Sequence, residues 1–195
     1  MSLAEERRRQ IESWVRPLYV ELDGVDTFGV VTRRSSLVES LLDADLLAAG
    51  SIDEEYLELL LLYHGTAQRI GSTGPGGRWW LFLKGLGLSD AELRRLSVGL
   101  SRWRDAPRGS EEEALHDAVL LEDVGVGACA RRLWWAGRKR IAFERSLSAL
   151  DAGPVAERFK TTRGRHLAVV RSRAARAWLE ELRDSVAAED LTRRC

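Results

Sequence analysis

His64 is the residue of this chain best placed to do chemistry. It follows Leu57, Leu60 and Leu61 on one face of a helical stretch. An imidazole in that setting reads first as a satisfied interior side chain. It reads second as a metal ligand or a general base. His116 and Asp117 are a second histidine–acid combination, but they are adjacent. Neighbours on a helix point about 100° apart and do not converge on one ion. Asp26, Asp117, Glu122 and Asp123 are the acids that could join His64 in a carboxylate-rich site, a donor set suited to magnesium or manganese. Their plainer reading is helix-surface acids and a cap.

Two further patterns bear on phosphate. The run Gly71-Ser-Thr-Gly-Pro-Gly-Gly77 could cradle a phosphate through backbone N–H groups, with Ser72 and Thr73 beside them. It lacks the Gly-Lys-Ser/Thr ending of a P-loop and leads into Trp79-Trp-Leu-Phe-Leu83, so a plain flexible connection is preferred. Arginines and tryptophans interleave at Arg102-Trp-Arg104, Arg131-Arg-Leu-Trp-Trp135 and Arg138-Lys-Arg140. Guanidinium planes stack on indoles and pair with phosphates, which points to a nucleotide, RNA or DNA partner. Bundle tryptophans more often belong to the core. Exposure of Trp79-Trp80 or of Trp134-Trp135 would mark an interface instead.

The elements that position these groups read as helices throughout. Capping-box patterns stand at Ser51-x-x-Glu54, Ser89-x-x-Glu92 and Ser110-x-x-Glu113. An opening helix is expected from Leu3 to Val15, with Pro17 kinking or restarting it. Val30 to Ala49 reads as another helix, with Leu37, Leu41, Leu42 and Leu46 inward. The β-branched stretch from Val25 to Thr32 could equally make a short strand. In the last helix Leu167, Val170, Ala174, Trp178, Leu182 and Val186 form the expected inward stripe. The glycine run and Asp105 to Gly109 are loops, and neither reads as a domain boundary.

Composition bounds the function classes. With 195 residues, one domain over 1–195 with a core from about 11 to 187 is expected. Lys+Arg and Asp+Glu are 30 each, so no whole-chain charge favours nucleic acid, although a local basic patch remains open. Cys129 lies in an apolar run and reads as a small buried residue, while Cys195 ends the chain. Two cysteines in these positions make no disulfide framework. No secretory signal or membrane-spanning stretch is visible, so a cytoplasmic setting and no membrane partner are expected.

Three separated stretches resemble the motif segments of the HD-domain metal phosphohydrolases. Asp23-Gly-Val-Asp-Thr-Phe-Gly-Val-Val31 is similar to the family's early segment. Leu59-Leu-Leu-Leu-Tyr-His-Gly65 is similar to the helix that ends in a His-Asp pair. Asp117 to Arg131 resembles the third segment, with its glycines and arginine, and Phe159-Lys-Thr-Thr-Arg163 resembles the entry to the final helix. The likeness spans Ile11 to Val186. It implies an all-α, single-domain helical bundle and four metal ligands, which fall here at Gly29, His64, Gly65 and Val119. The family's dipeptide does occur, as His116-Asp117, but at the third segment.

Glycine and valine offer no lone pair to a metal, and a lone imidazole is a poor cage for a divalent ion. The resemblance therefore implies a bundle that has lost most metal ligands, a non-catalytic binding or regulatory protein. No cofactor is expected, and the partner is a protein or a nucleotide held near His64, Asp117 and Arg131. Arg131 is the phosphate candidate, and a second copy of the chain is a candidate partner. Two alternatives stand beside this reading. One is a magnesium- or manganese-dependent phosphohydrolase with a rebuilt site that includes Asp26, His64 and Asp117. The other is a nucleic-acid or nucleotide binder using the Arg/Trp segments.

Overall fold

The computed structural model describes residues 5–19, 28–42, 52–66, 75–150 and 156–194, with side chains as far as 186. Among them every regular element is helical. The α-helices are α1 (Glu5–Val15), α2 (Gly29–Leu41), α3 (Glu54–Tyr63), α4 (Arg78–Gly85), α5 (Asp90–Arg102), α6 (Ser110–Glu122), α7 (Val126–Arg138), α8 (Phe143–Ser148) and α9 (Thr162–Arg194). Short 3-10 turns run over Arg16–Tyr19, His64–Thr66 and Ala156–Arg158. No helix among the described residues is long and apolar enough to cross a membrane. The chain divides into two compact units, Met1–Ala118 and Val119–Cys195.

α3 is the centre of the first unit. Its sequence, EEYLELLLLY, is apolar nearly all round, and a helix of that kind must be buried on all sides. Tyr56, Leu57 and every residue from Leu59 to Tyr63 are buried. α1, α2 and α5 pack against it, and α4 packs on α5. Each leucine removed from water there contributes about 2 kcal/mol. Asp53 starts α3 by accepting the Tyr56 N–H at 3.0 Å. The helix therefore begins two residues later than the Ser51 capping pattern suggested, and Ser51 itself lies outside the described residues. The Ser89–Glu92 box forms in full at the head of α5. At α6 the first helical bond runs from Glu113 N–H to the Gly109 carbonyl at 3.1 Å, so Gly109 takes the cap position expected of Ser110.

A buried carboxylate ties α3, α5 and α6 together. Glu112 accepts from Arg102 through both oxygens, at 2.7 and 2.6 Å, from the Tyr56 hydroxyl at 2.9 Å and from the Arg108 N–H at 2.8 Å. Burial pushes its carboxyl up, but Arg102, the Arg108 amide and Tyr56 outweigh that and hold it below the usual carboxylate range. Arg102 is thereby used inside the first Arg/Trp segment.

α2 spans Gly29–Leu41, and its buried residues are Val31, Val38 and Leu41. Leu37 and Leu42 are half-buried, and Leu46 lies outside the described residues. Positions 28–32 enter the helix, so the alternative of a strand there is replaced over the described part.

In the second unit α7 packs on α8 and α9, around Cys129, Leu147, Leu150, Ala175 and Leu179. Cys129 is buried. The inward stripe of α9 differs from the expected one. Ala168, Ala175 and Leu179 are buried, flanked by Trp178, Leu182 and Val186, while Val170 is 51% exposed and Ala174 is exposed. Of the expected stripe, Trp178, Leu182 and Val186 do pack against the core and Leu167 is half-buried, so the difference lies at Val170 and Ala174.

Gly99 on α5 faces this polar centre. A Cβ there would stand 2.0 Å from the Tyr56 hydroxyl and 3.2 Å from a Glu112 oxygen. Gly99→Ala is expected to lower stability by about 2 kcal/mol through overpacking. Gly137→Ala on α7, where an added Cβ would meet no described atom within 4 Å beyond its own helical turn, is expected to hold or raise it. Thermal melts followed by circular dichroism compare the two; equal behaviour would refute the packing account.

Candidate functional site

The route to His64 begins at Pro17, which cannot continue α1 and turns the chain into the 3-10 segment Arg16–Tyr19. That turn delivers Tyr19 to the end of α3, where the helix tightens into the turn His64–Thr66. The Tyr19 hydroxyl donates to the Leu62 carbonyl at 2.8 Å and accepts the Gly65 N–H at 3.1 Å. Burial pushes this phenol up to about 12, with the Gly65 amide and Arg34 opposing. Phe28 packs edge-on against the Tyr19 ring, with centroids 5.4 Å apart.

His64 is only 3% exposed. Tyr19 and Trp103 flank its ring, with centroids at 6.4 and 5.9 Å. Its Nδ1 bonds the Leu61 carbonyl at 2.6 Å, and its Nε2 bonds the Arg34 guanidinium. A carbonyl can only accept and a guanidinium can only donate. The proton therefore sits on Nδ1, and the Nε2 lone pair is given to Arg34. Burial and the nearby charge of Arg34 lower the imidazole pKa to about 3.

A divalent ion of the kind the resemblance implies does not fit these residues. Neither nitrogen of His64 has a lone pair to spare. A Cβ on Gly65 would lie 2.4 Å from the Tyr19 ring, so the family's aspartate has no room. Among the described residues a Cβ on Gly29 would meet only an Arg33 nitrogen, at 3.6 Å, and glycine itself offers no side-chain donor. Val119 is half-buried on α6 and also has none. Among the described residues no three His, Cys, Asp or Glu side chains gather to hold an ion.

The other candidates are scattered. Asp117 is fully buried on α6. His116 is half-buried, with Nδ1 donating to the Trp103 carbonyl at 3.2 Å. Glu122 lies five positions beyond Asp117, which turns it about 140° round the helix. Asp123 is exposed after the helix ends. Arg131 in the second unit donates to the Glu122 carbonyl, closing the end of α6. Asp26, Ser72 and Thr73 lie outside the described residues. Trp79 and Trp80 are buried, and Trp103 is buried with Arg104 over its ring. Trp134 and Trp135 are exposed. Sequence reasoning missed Arg34 and Tyr19 as the groups that engage His64 and Gly65. They stand 30 and 46 positions away, and nothing in their neighbourhoods announces it.

No protein-family model matches the sequence, and no curated protein matches it. Solved structures do. An HD-superfamily hydrolase from Bacillus thuringiensis is 18% identical at a TM-score of 0.66, over 94% of this chain and 98% of that one. A protein from Listeria innocua is 14% identical at a TM-score of 0.66, over 94% and 97%. YpgQ from Bacillus subtilis in complex with ADP is 15% identical at a TM-score of 0.61, over 92% and 95%. The chain has an HD-domain-like, all-α fold.

The depressed pKa of His64 carries a sign. Unfolded, the imidazole takes a proton below about 6.5; folded, it stays neutral down to about 3. Between those values the unfolded state binds the extra proton, so stability falls as pH drops, by about 1.4 kcal/mol per unit. Denaturant melts from pH 7 to 5.5 isolate this slope from the carboxylates. His64→Gln is expected to flatten it, and an unchanged slope would refute the buried neutral imidazole.

Proposed function

We propose that this chain is a non-catalytic binding or regulatory protein, built on an HD-domain-like fold that has lost most of its metal ligands. One observation carries the reading: the Nε2 of His64, the one family ligand retained, is taken by the Arg34 guanidinium. A cation fixed by the chain itself holds the lone pair that a metal would need. The Tyr19 ring against Gly65 supports the same reading, because it fills the room of a second ligand. Without a bound ion, nothing of the family's kind lowers the pKa of a water or clamps a phosphate oxygen.

The partner is a protein or a nucleotide. The ADP complex of YpgQ, a fold neighbour, makes ADP the first ligand to try. The chemistry asks only for phosphate recognition and base contact, which need no ion.

Thermal shift and hydrolysis assays test the proposal together. A ligand that binds only the folded state at a hundred times its Kd stabilises by about 2.7 kcal/mol. Manganese and magnesium are expected to leave the melting temperature unchanged, and nucleotides and phosphomonoesters to remain uncleaved. Turnover abolished both by chelator and by His64→Ala would overturn the proposal. It would restore the rebuilt-site phosphohydrolase with Asp26, His64 and Asp117.

A further inference from the structure

The second unit presents a feature that the fate of the metal positions does not explain. Trp134 is 57% exposed and Trp135 is 39% exposed, side by side near the end of α7. Their ring centroids are 5.1 Å apart and the planes stand at 75°. The Arg138 guanidinium lies 5.2 Å from both centroids. Water-facing indoles are costly, and two together mark a contact surface.

The charge around them is one-sided. From 126 to 150 the chain has six basic residues, Arg131, Arg132, Arg138, Lys139, Arg140 and Arg145, against one acid, Glu144. All but Arg131 of the six are exposed. Among the described residues no carboxylate pairs with Arg138, Lys139, Arg140 or Arg145. The whole chain is neutral, so this is a local concentration of charge. A pocket of about 410 Å³ lies alongside, with Arg132 and Arg145 among its lining and Ala136, Ile141 and Leu150 giving it apolar surface.

Arg140 adds a second, independent sign. It closes α7 with φ +55°, its N–H bonded to the Gly137 carbonyl and the next N–H, of Ile141, to the Ala136 carbonyl. Helices that end this way normally carry glycine there, because other residues are strained at positive φ. Here a cation stands in that strained position, held outward at the edge of the patch.

We propose that the α7–α8 face binds single-stranded nucleic acid, with bases stacked on Trp134 and Trp135 and the phosphodiester chain running over Arg132, Arg138, Lys139, Arg140 and Arg145. The partner must be a polyanion whose apolar units are flat rings. Unpaired bases present such faces, and stacking on indoles is indifferent to their sequence. A membrane suits the patch less well. Consecutive residues point about 100° apart, and burying both rings in lipid would carry the Arg138 guanidinium with them. The inference does not depend on the state of His64 and stands or falls separately from the proposed function.

The test is fluorescence anisotropy with a labelled strand of about twelve thymidines, and the same length of uridines. Binding is expected at low salt, with a log–log salt slope of about −3 if four phosphates are neutralised. Trp134→Ala or Trp135→Ala is expected to weaken binding about tenfold with the slope unchanged. Lys139→Gln is expected to reduce the slope by about 0.7. Arg140→Gly is expected to raise the melting temperature by about 2 °C by relieving the strained backbone, while weakening binding. These side chains are exposed, so the variants keep the fold, which circular dichroism checks. No binding at low salt would overturn the proposal. So would binding insensitive to both tryptophan variants, or tighter capture of phosphatidylserine vesicles, a glutamate-rich peptide or the matching duplex. A gain in stability at Arg140→Gly with undiminished binding would do the same.

Discussion

A neutral imidazole that gives its only lone pair to a permanent cation is the constraint on which the first unit's centre depends. Arg34 cannot release its proton, so Nε2 of His64 must accept and Nδ1 must donate to Leu61. Tyr19 and Trp103 flank the pair. In so dry a place a second positive charge is costly, which is why the histidine stays neutral far below its ordinary range. A group with the right identity for metal chemistry is thus spent on holding an arginine.

Gly65 and Gly99 are glycine for one and the same reason. At each, a tyrosine comes too close for any side chain: the Tyr19 ring at Gly65 and the Tyr56 hydroxyl at Gly99. The two tyrosines then use their hydroxyls on the backbone of α3's end and on Glu112. Buried polar groups are stabilising only when their partners are all in place, and both clusters meet that condition. The first unit is held by leucines on every side of α3 and by two closed polar clusters set into that apolar mass. Gly65 is a complement to the Tyr19 ring.

The second unit follows a different economy. Its core gathers Cys129 and Ala175 with Leu147, Leu150 and Leu179, and Leu133, Trp178, Leu182 and Val186 pack against them. Phe159 and Trp178 are taken inside, whereas Trp134 and Trp135 face water among basic side chains. Interior packing accounts for the former. The exposed pair has no such account from interior packing, since apolar area left in solvent stabilises nothing by itself.

The helical character of the chain, the opening helix with its break at Pro17, the Ser89–Glu92 cap and the buried Cys129 follow from the sequence alone, because periodicity, caps and proline act within a few residues. So does the poverty of ligands at Gly29, Gly65 and Val119, since a missing lone pair is a matter of residue type. Tertiary structure decided which face of α9 turns inward, that Asp53 and Gly109 start their helices, and which of two tryptophan pairs meets water. It also decided that Arg34 holds His64 and that Tyr19 fills the space beside Gly65. Those outcomes depend on atoms brought within a few ångströms from 30 or more positions away, and local pattern carries no record of such encounters.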